Sequence, residues 1–194
     1  MAGQKTETEI TYHPLTADRW DDFEELFGKR GAYGGCWCMW WRTTRKQFEG
    51  QQGEGNRQAM QTLVNSGQVP GIMAYAEAKA IAWCSVAPRG DYASLNRSHV
   101  LKRLDDKPVW SIVCLFVDKS HRGKRVTIGL IQAAVEFVRS QGGKIIEAYP
   151  TQPKSDHLPP VSSFMGLPAM FEEAGFVVCA EPSPSKVIMR RVIS

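Results

Sequence analysis

The stretch VCLFVDKSHRGKRVTIGLIQAAVEFV, Val113–Val138, changes rhythm twice. An unbroken apolar run ends at Asp118, and a short basic loop follows from Ser120 to Arg125. Leu130, Ala134, Phe137 and Val138 then recur at helical spacing. An apolar run without alternation suits a central strand buried on both faces. The first N–H groups of the following helix have no acceptor within the helix, and the helix dipole is positive there. An anion fits such a place, and Arg122 and Lys124 add cationic charge, so phosphate is a chemically reasonable guest. The competing reading is a solvated basic turn.

Upstream, EITYHPL (Glu9–Leu15) alternates and reads as a first strand. Thr16 is placed to cap a helix through Ala17–Lys29, with Trp20, Phe23 and Phe27 on one face and Gly31 as its stop. Tyr33–Trp41 is a dense aromatic loop. Thr43 or Thr44 caps a short helix, and GNRQAMQTLVNSG reads as a further helix. Pro70–Arg89 reads as two strands joined near Glu77–Lys79, ahead of a polar connection and the central strand Val109–Asp118. Downstream, Gly142 and Gly143 end the long helix, KIIEAYP is a strand, and TQPKSDHLPPVSS is a proline-rich loop. LPAMFEEAGF is a short helix, followed by the strands FVVCAEP and KVIMRRVI. The sum is an α/β (α+β) domain with one mixed, mostly antiparallel sheet of about six or seven strands flanked by helices.

The 194 residues suit one domain, taken as 1–194 with residues 1–8 as a flexible tail. Hydrophobic residues at 43% are enough for a real core. A net charge of +4, scattered outside the one basic loop, argues against a nucleic-acid-binding surface. No signal segment and no membrane-spanning run is visible, and five cysteines outside any disulfide spacing fit reduced thiols in the cytoplasm.

The order of these pieces resembles the GNAT family of acetyl-CoA-dependent N-acetyltransferases. The resemblance rests on VWSIVCLFVDKSHRGKRVTIGLIQAAVEF, with its Leu115-Phe116-Val117 step, and on MFEEAGF with Gly175-Phe176. GCWCMWWR, WCSVAPR and DDKPVWSIVC resemble one bacterial branch of that family. It implies a GNAT-like acyl-CoA N-acyltransferase fold in which the central strand splays from KIIEAYP. It also implies that the pantetheine of acetyl-CoA pairs with backbone at Leu115, Phe116 and Val117. The pyrophosphate would rest on Arg122, Gly123, Lys124, Arg125, Val126 and Thr127. Two positions depart from the family pattern. Arg125 stands where glycine is usual, and either crowds the phosphates or turns its guanidinium onto them. Phe171 stands where many relatives carry a tyrosine that protonates the departing thiolate.

Other residues carry two readings each. Glu147 is a candidate base for the acceptor amine or an ordinary strand carboxylate, and Tyr149 a candidate acid or a half-buried strand tyrosine. Tyr33, Trp37, Trp40 and Trp41 form either an aromatic wall of the acceptor site or a core plug, where Arg42 could stack. Cys36 and Cys38, with His121 and Cys84 as loose additions, fall short of a zinc set, so no metal is expected. The reading is an N-acetyltransferase that takes acetyl from acetyl-CoA and gives it to a small-molecule or peptide amine by direct attack. No membrane partner is expected, and a homodimer is one option for its assembly. A CoA-binding regulatory module without catalysis, or an aromatic-pocket binding protein that uses no CoA, are the alternatives.

Overall fold

A computed structural model describes residues 9–153 and 164–194. The strands are β1 (Ile10–Pro14), β2 (Gly71–Ala76), β3 (Lys79–Pro88), β4 (Trp110–Val117), β5 (Ile145–Ala148), β6 (Val177–Ser183) and β7 (Lys186–Val192). The α-helices are α1 (Trp20–Phe27), α2 (Arg45–Gln51), α3 (Glu54–Asn65), α4 (Ala93–Asn96), α5 (Val126–Ser140) and α6 (Pro168–Glu173). Among the described residues the strands form one seven-stranded sheet in the order β1-β2-β3-β4-β5-β7-β6. Every neighbouring pair is antiparallel except β4 and β5, which run parallel.

Local chemistry accounts for most boundaries. Thr44 caps α2 through a reciprocal pair with Gln47, which satisfies two orphan N–H groups. Thr16 does not cap its helix. Its hydroxyl accepts from Arg19 Nη1 at 2.9 Å, and a 3-10 turn precedes α1. That helix stops at Phe27, earlier than the Gly31 expected, because Gly28 already takes φ +59°. Gly71 has a packing reason to lack a side chain: a Cβ there would lie 2.1 Å from the Cys84 carbonyl oxygen.

Two layers cover the sheet. On one face α5 and α6 bury Leu130, Ala134, Val138 and Phe171 against Ile112, Leu115 and Ile146. On the other, Phe23 and Phe27 of α1 meet Trp37, Met60 and Trp83. Phe23 and Phe27 lie 4.0 Å apart by ring centroids, and Phe23 meets Trp83 edge-on at 4.9 Å. Burying each such ring contributes on the order of 2–3 kcal/mol. A third cluster, with Tyr92, Leu95, Val113, Tyr149 and Met165, lies under the connection between β3 and β4.

Candidate active site

The single parallel contact in the sheet makes an opening. β4 and β5 pair only over Trp110–Ile112 and Ile146–Ala148. Beyond that point β4 continues with β3 as far as Val117. The chain leaving β5 instead follows β7. Val187 N–H donates to the Pro150 carbonyl at 3.4 Å, Gln152 N–H to the Ser185 carbonyl at 3.0 Å, and Thr151 bridges Lys186. The two arms diverge into a V beside Leu115, Phe116 and Val117. Leu115 turns its N–H into the V and Val117 its carbonyl, which accepts from Arg122 Nε at 3.0 Å.

The basic loop starts at the wide end of the V. Asp118 accepts from Ser120 N–H at 3.0 Å, and hydrogen bonds from Ser120 hold its carboxyl below the usual range. Arg122, Gly123, Lys124 and Arg125 are exposed, Val126 is buried and Thr127 half-buried. Gly123 and Arg125 have φ +73° and +61°, so residue 125 sits in the left-handed region that favours glycine. Arg125 accepts this conformation and turns its guanidinium outward to an ion pair with Glu173 at the end of α6.

Glu147 and Tyr149 lie in the narrow end of the V, inside a closed polar network. Glu147 is 1% exposed. One carboxylate oxygen accepts from Arg190 at 2.7 Å and the other from the Tyr149 hydroxyl at 2.6 Å, with Arg89 at 3.4 Å. Arg89 donates to the Tyr149 oxygen at 2.6 Å, and Ser111 shares a 2.7 Å bond with the same hydroxyl. Arg190 also grips Asp105. Burial first, and Glu147 second, push the Tyr149 hydroxyl far above its ordinary value, which makes it a reluctant proton donor. Phe171, fully buried, brings no proton to the site.

The aromatic segment is part buried and part exposed. Trp37 is buried and stacks on Phe27 at 5.8 Å, a plug. Tyr33 and Trp40 are exposed, and Trp41 is half-buried against the third cluster. Arg42 lies over the Tyr92 ring at 4.8 Å and fixes the loop to β2 through the Pro70 carbonyl. Cys38 accepts from Trp83 Nε1 at 3.2 Å. Contact with Cys114, and then with Trp83, draws its thiol down to about 7, whereas burial lifts Cys36 to about 11. Among the described residues no three His, Cys, Asp or Glu side chains gather as a metal site. Among them, too, no helix is long and apolar enough to cross a membrane.

Several residues around the V were not legible beforehand: Arg89, Asp105, Lys186, Arg190 and the turn Phe164–Gly166. Arg89 and Asp105 lie within WCSVAPR and DDKPVWSIVC but without a role assigned to them, and the turn's glycine followed by Leu-Pro marks a bend rather than a site.

A family model described as the acetyltransferase (GNAT) family matches residues 17–158. No curated protein matches the chain. Among solved structures, a GNAT-family acetyltransferase from Listeria monocytogenes superposes with a TM-score of 0.59 at 9% identity, over 97% of either chain. A GNAT-family acetyltransferase from Streptococcus pneumoniae gives 0.55 at 10% identity, over 96% of this chain and 100% of that one. PaiA N-acetyltransferase from Thermoplasma acidophilum, crystallised with coenzyme A, gives 0.54 at 13% identity, over 95% and 99%. At such identities the likeness is one of fold.

Proposed function

Because the chain belongs to the acetyltransferase (GNAT) family, we propose that it transfers an acetyl group from acetyl-CoA to a primary amine, on a small molecule or a peptide, by direct attack. The observation that carries this reading is the V between β4 and β5, with the Leu115 N–H turned into it and the basic loop at its wide end. An extended pantetheine arm pairs there as an added strand would. The phosphates then meet Arg122, Lys124 and the first N–H groups of α5. The structural neighbour crystallised with coenzyme A supports the same donor.

In the proposed step the amine nitrogen forms a bond to the thioester carbonyl carbon, the C–S bond breaks, and the electron pair leaves on sulfur. The protein contributes orientation and a strand N–H donor near Val117 that stabilises charge on the carbonyl oxygen. The two candidate proton handlers, Glu147 and Tyr149, are already committed to each other and to arginines. Their action on the acceptor would therefore run through water. A thiol with an ordinary pKa near 8.5 leaves without an acid. The alternative, a CoA-binding module without transfer, draws support from the buried Phe171.

The test is calorimetry with acetyl-CoA, followed by thiol release across a panel of amines. Binding with turnover on at least one amine is the expected result. Binding without turnover on any amine favours the non-catalytic module. No binding at millimolar acetyl-CoA overturns the reading.

A further inference from the structure

The V is not open along its length. The turn Phe164–Gly166 lies across it and is hydrogen-bonded to both arms. The Phe164 carbonyl accepts from Leu115 N–H of β4 at 2.6 Å. Two residues on, the Gly166 carbonyl accepts from Thr151 N–H, on the arm that continues β5, at 3.0 Å. Gly166 has φ +79° and no room for a side chain: a Cβ would stand 2.7 Å from the Phe171 ring and 3.0 Å from Leu115 Cδ1. The turn is also latched from the β7 side. Lys186 Nζ donates to Thr151 Oγ1 at 2.9 Å and to the Tyr149 carbonyl at 3.4 Å, and lies 3.3 Å from Met165 Sδ. The half-buried Lys186 ammonium thus sits among Thr151, Tyr149 and Met165.

From this geometry we infer that Phe164–Gly166 is an internal occupant of the acyl-CoA cleft, a strap that competes with pantetheine for the Leu115 N–H and must leave before the donor seats. The inference rests on the proposed function, since it takes the V as the cofactor cleft. The reasoning is one of exclusion. A backbone N–H turned into a gap bonds one good acceptor at a time, and at 2.6 Å the Phe164 carbonyl fills that role. A pantetheine amide pairing at Leu115 would have to take the same proton. The strap-closed form therefore reduces apparent affinity by the fraction of molecules that hold it. Lys186 is a positioning residue in this device, because it acts through Thr151 and Met165.

The experiment compares the wild type with Lys186→Met and Gly166→Ala, using CoA in calorimetry and amide hydrogen exchange. Lys186→Met removes the latch and leaves every β4 group in place. Gly166→Ala makes the strap conformation costly, through its φ and its contact with Phe171. Both variants should bind CoA more tightly, by roughly three- to tenfold, the loss of one or two ordinary hydrogen bonds from the closed form. In the wild type, saturating CoA should leave the Leu115 amide protected and make the Thr151 amide exchange faster, because the first finds a new acceptor and the second loses Gly166. If a variant fails to fold, the exchange pattern of the wild type still decides. CoA binding of equal strength in all three proteins, with the Thr151 amide as protected as before, overturns the strap and leaves the proposed function standing. Absence of CoA binding in all three overturns both.

Discussion

Glu147 and Tyr149, two residues apart on one strand end, are joined by a 2.6 Å hydrogen bond inside the sheet, with the tyrosine hydroxyl donating. The pair is enclosed by Arg89, Arg190 and Ser111, and neither residue is more than 1% exposed. Such a carboxylate is first a counter-charge. Glu147→Gln leaves the fully buried Arg89 without its anion, and breaking a buried pair in this way costs about 3–5 kcal/mol. Denaturant unfolding should show a loss of that order. A variant of unchanged stability that loses turnover would return Glu147 to the role of base.

Arg125→Gly separates two effects of one side chain. Glycine accepts φ +61° without the Cβ penalty, which is worth about 1 kcal/mol. The ion pair with Glu173 is exposed on both sides and worth little. The melting temperature should therefore hold or rise. Affinity for CoA should fall by roughly tenfold, because a guanidinium with so weak a partner swings to a phosphate when one arrives. Tighter CoA binding by the glycine variant would identify Arg125 as an obstruction.

Lys186 gives a pH signature. Burial lowers its folded pKa from 10.5 to about 8. A lysine depressed in the folded state costs stability wherever it is charged. The cost is complete below pH 8 and fades as pH rises from about 8 toward 10.5, where the unfolded chain still binds the proton and the folded one does not. The wild type should thus gain stability relative to Lys186→Met across that window. Parallel curves for the two proteins would show that Lys186 titrates normally.

The cysteines should react in an order set by exposure rather than acidity. Cys38 has a thiol drawn down to about 7 but lies buried under Trp83, while Cys179 is exposed on β6. A bulky thiol reagent at neutral pH should label Cys179 first and reach Cys38 only when the protein opens. Mass mapping at partial labelling checks this, and early modification of Cys38 would mean the aromatic loop opens readily.

Gly71→Ala should destabilise the sheet by about 1–3 kcal/mol, the usual cost of forcing atoms into a packed site. The collision is with the Cys84 carbonyl oxygen, at 2.1 Å from the added carbon, and strand backbone cannot step aside as a side chain can. Thermal unfolding at the wild-type midpoint would measure it.

The strands and helices of this chain were legible because their signals are local. The apolar run into β4, the period of α5 and the Thr44–Gln47 cap each lie within a few residues. The splay of β4 from β5 was legible only through resemblance. The contacts that define the site were not legible, since they join distant parts of the chain. Arg89 meets Glu147, Arg190 meets Asp105, and Phe164 meets Leu115, and nothing in the local sequence of either partner names the other. The aromatic loop was ambiguous for the same reason. Trp37 and Trp40 lie three residues apart in one tryptophan-rich run, and only the fold sends one under Phe27 and leaves the other in solvent.

The lone parallel contact also has a bearing on how the chain reaches its native state. On one side of it, β1 to β4 are antiparallel neighbours, and on the other β5, β7 and β6 are too. Each block can assemble from its own hairpin or near-neighbour pairings, but among the described residues the strand pairing between them covers three residue pairs, Trp110–Ile112 with Ile146–Ala148. Closing that seam requires the intervening chain with α5 to be folded back, a non-local step that is slow by its loop-closure entropy. At the same seam Arg89 of the first block meets Glu147 of the second, whereas Glu147 and Arg190 pair within the second block. A sheet joined one residue out of step at this seam would leave the buried Arg89 without its anion, a cost that disfavours the wrong register.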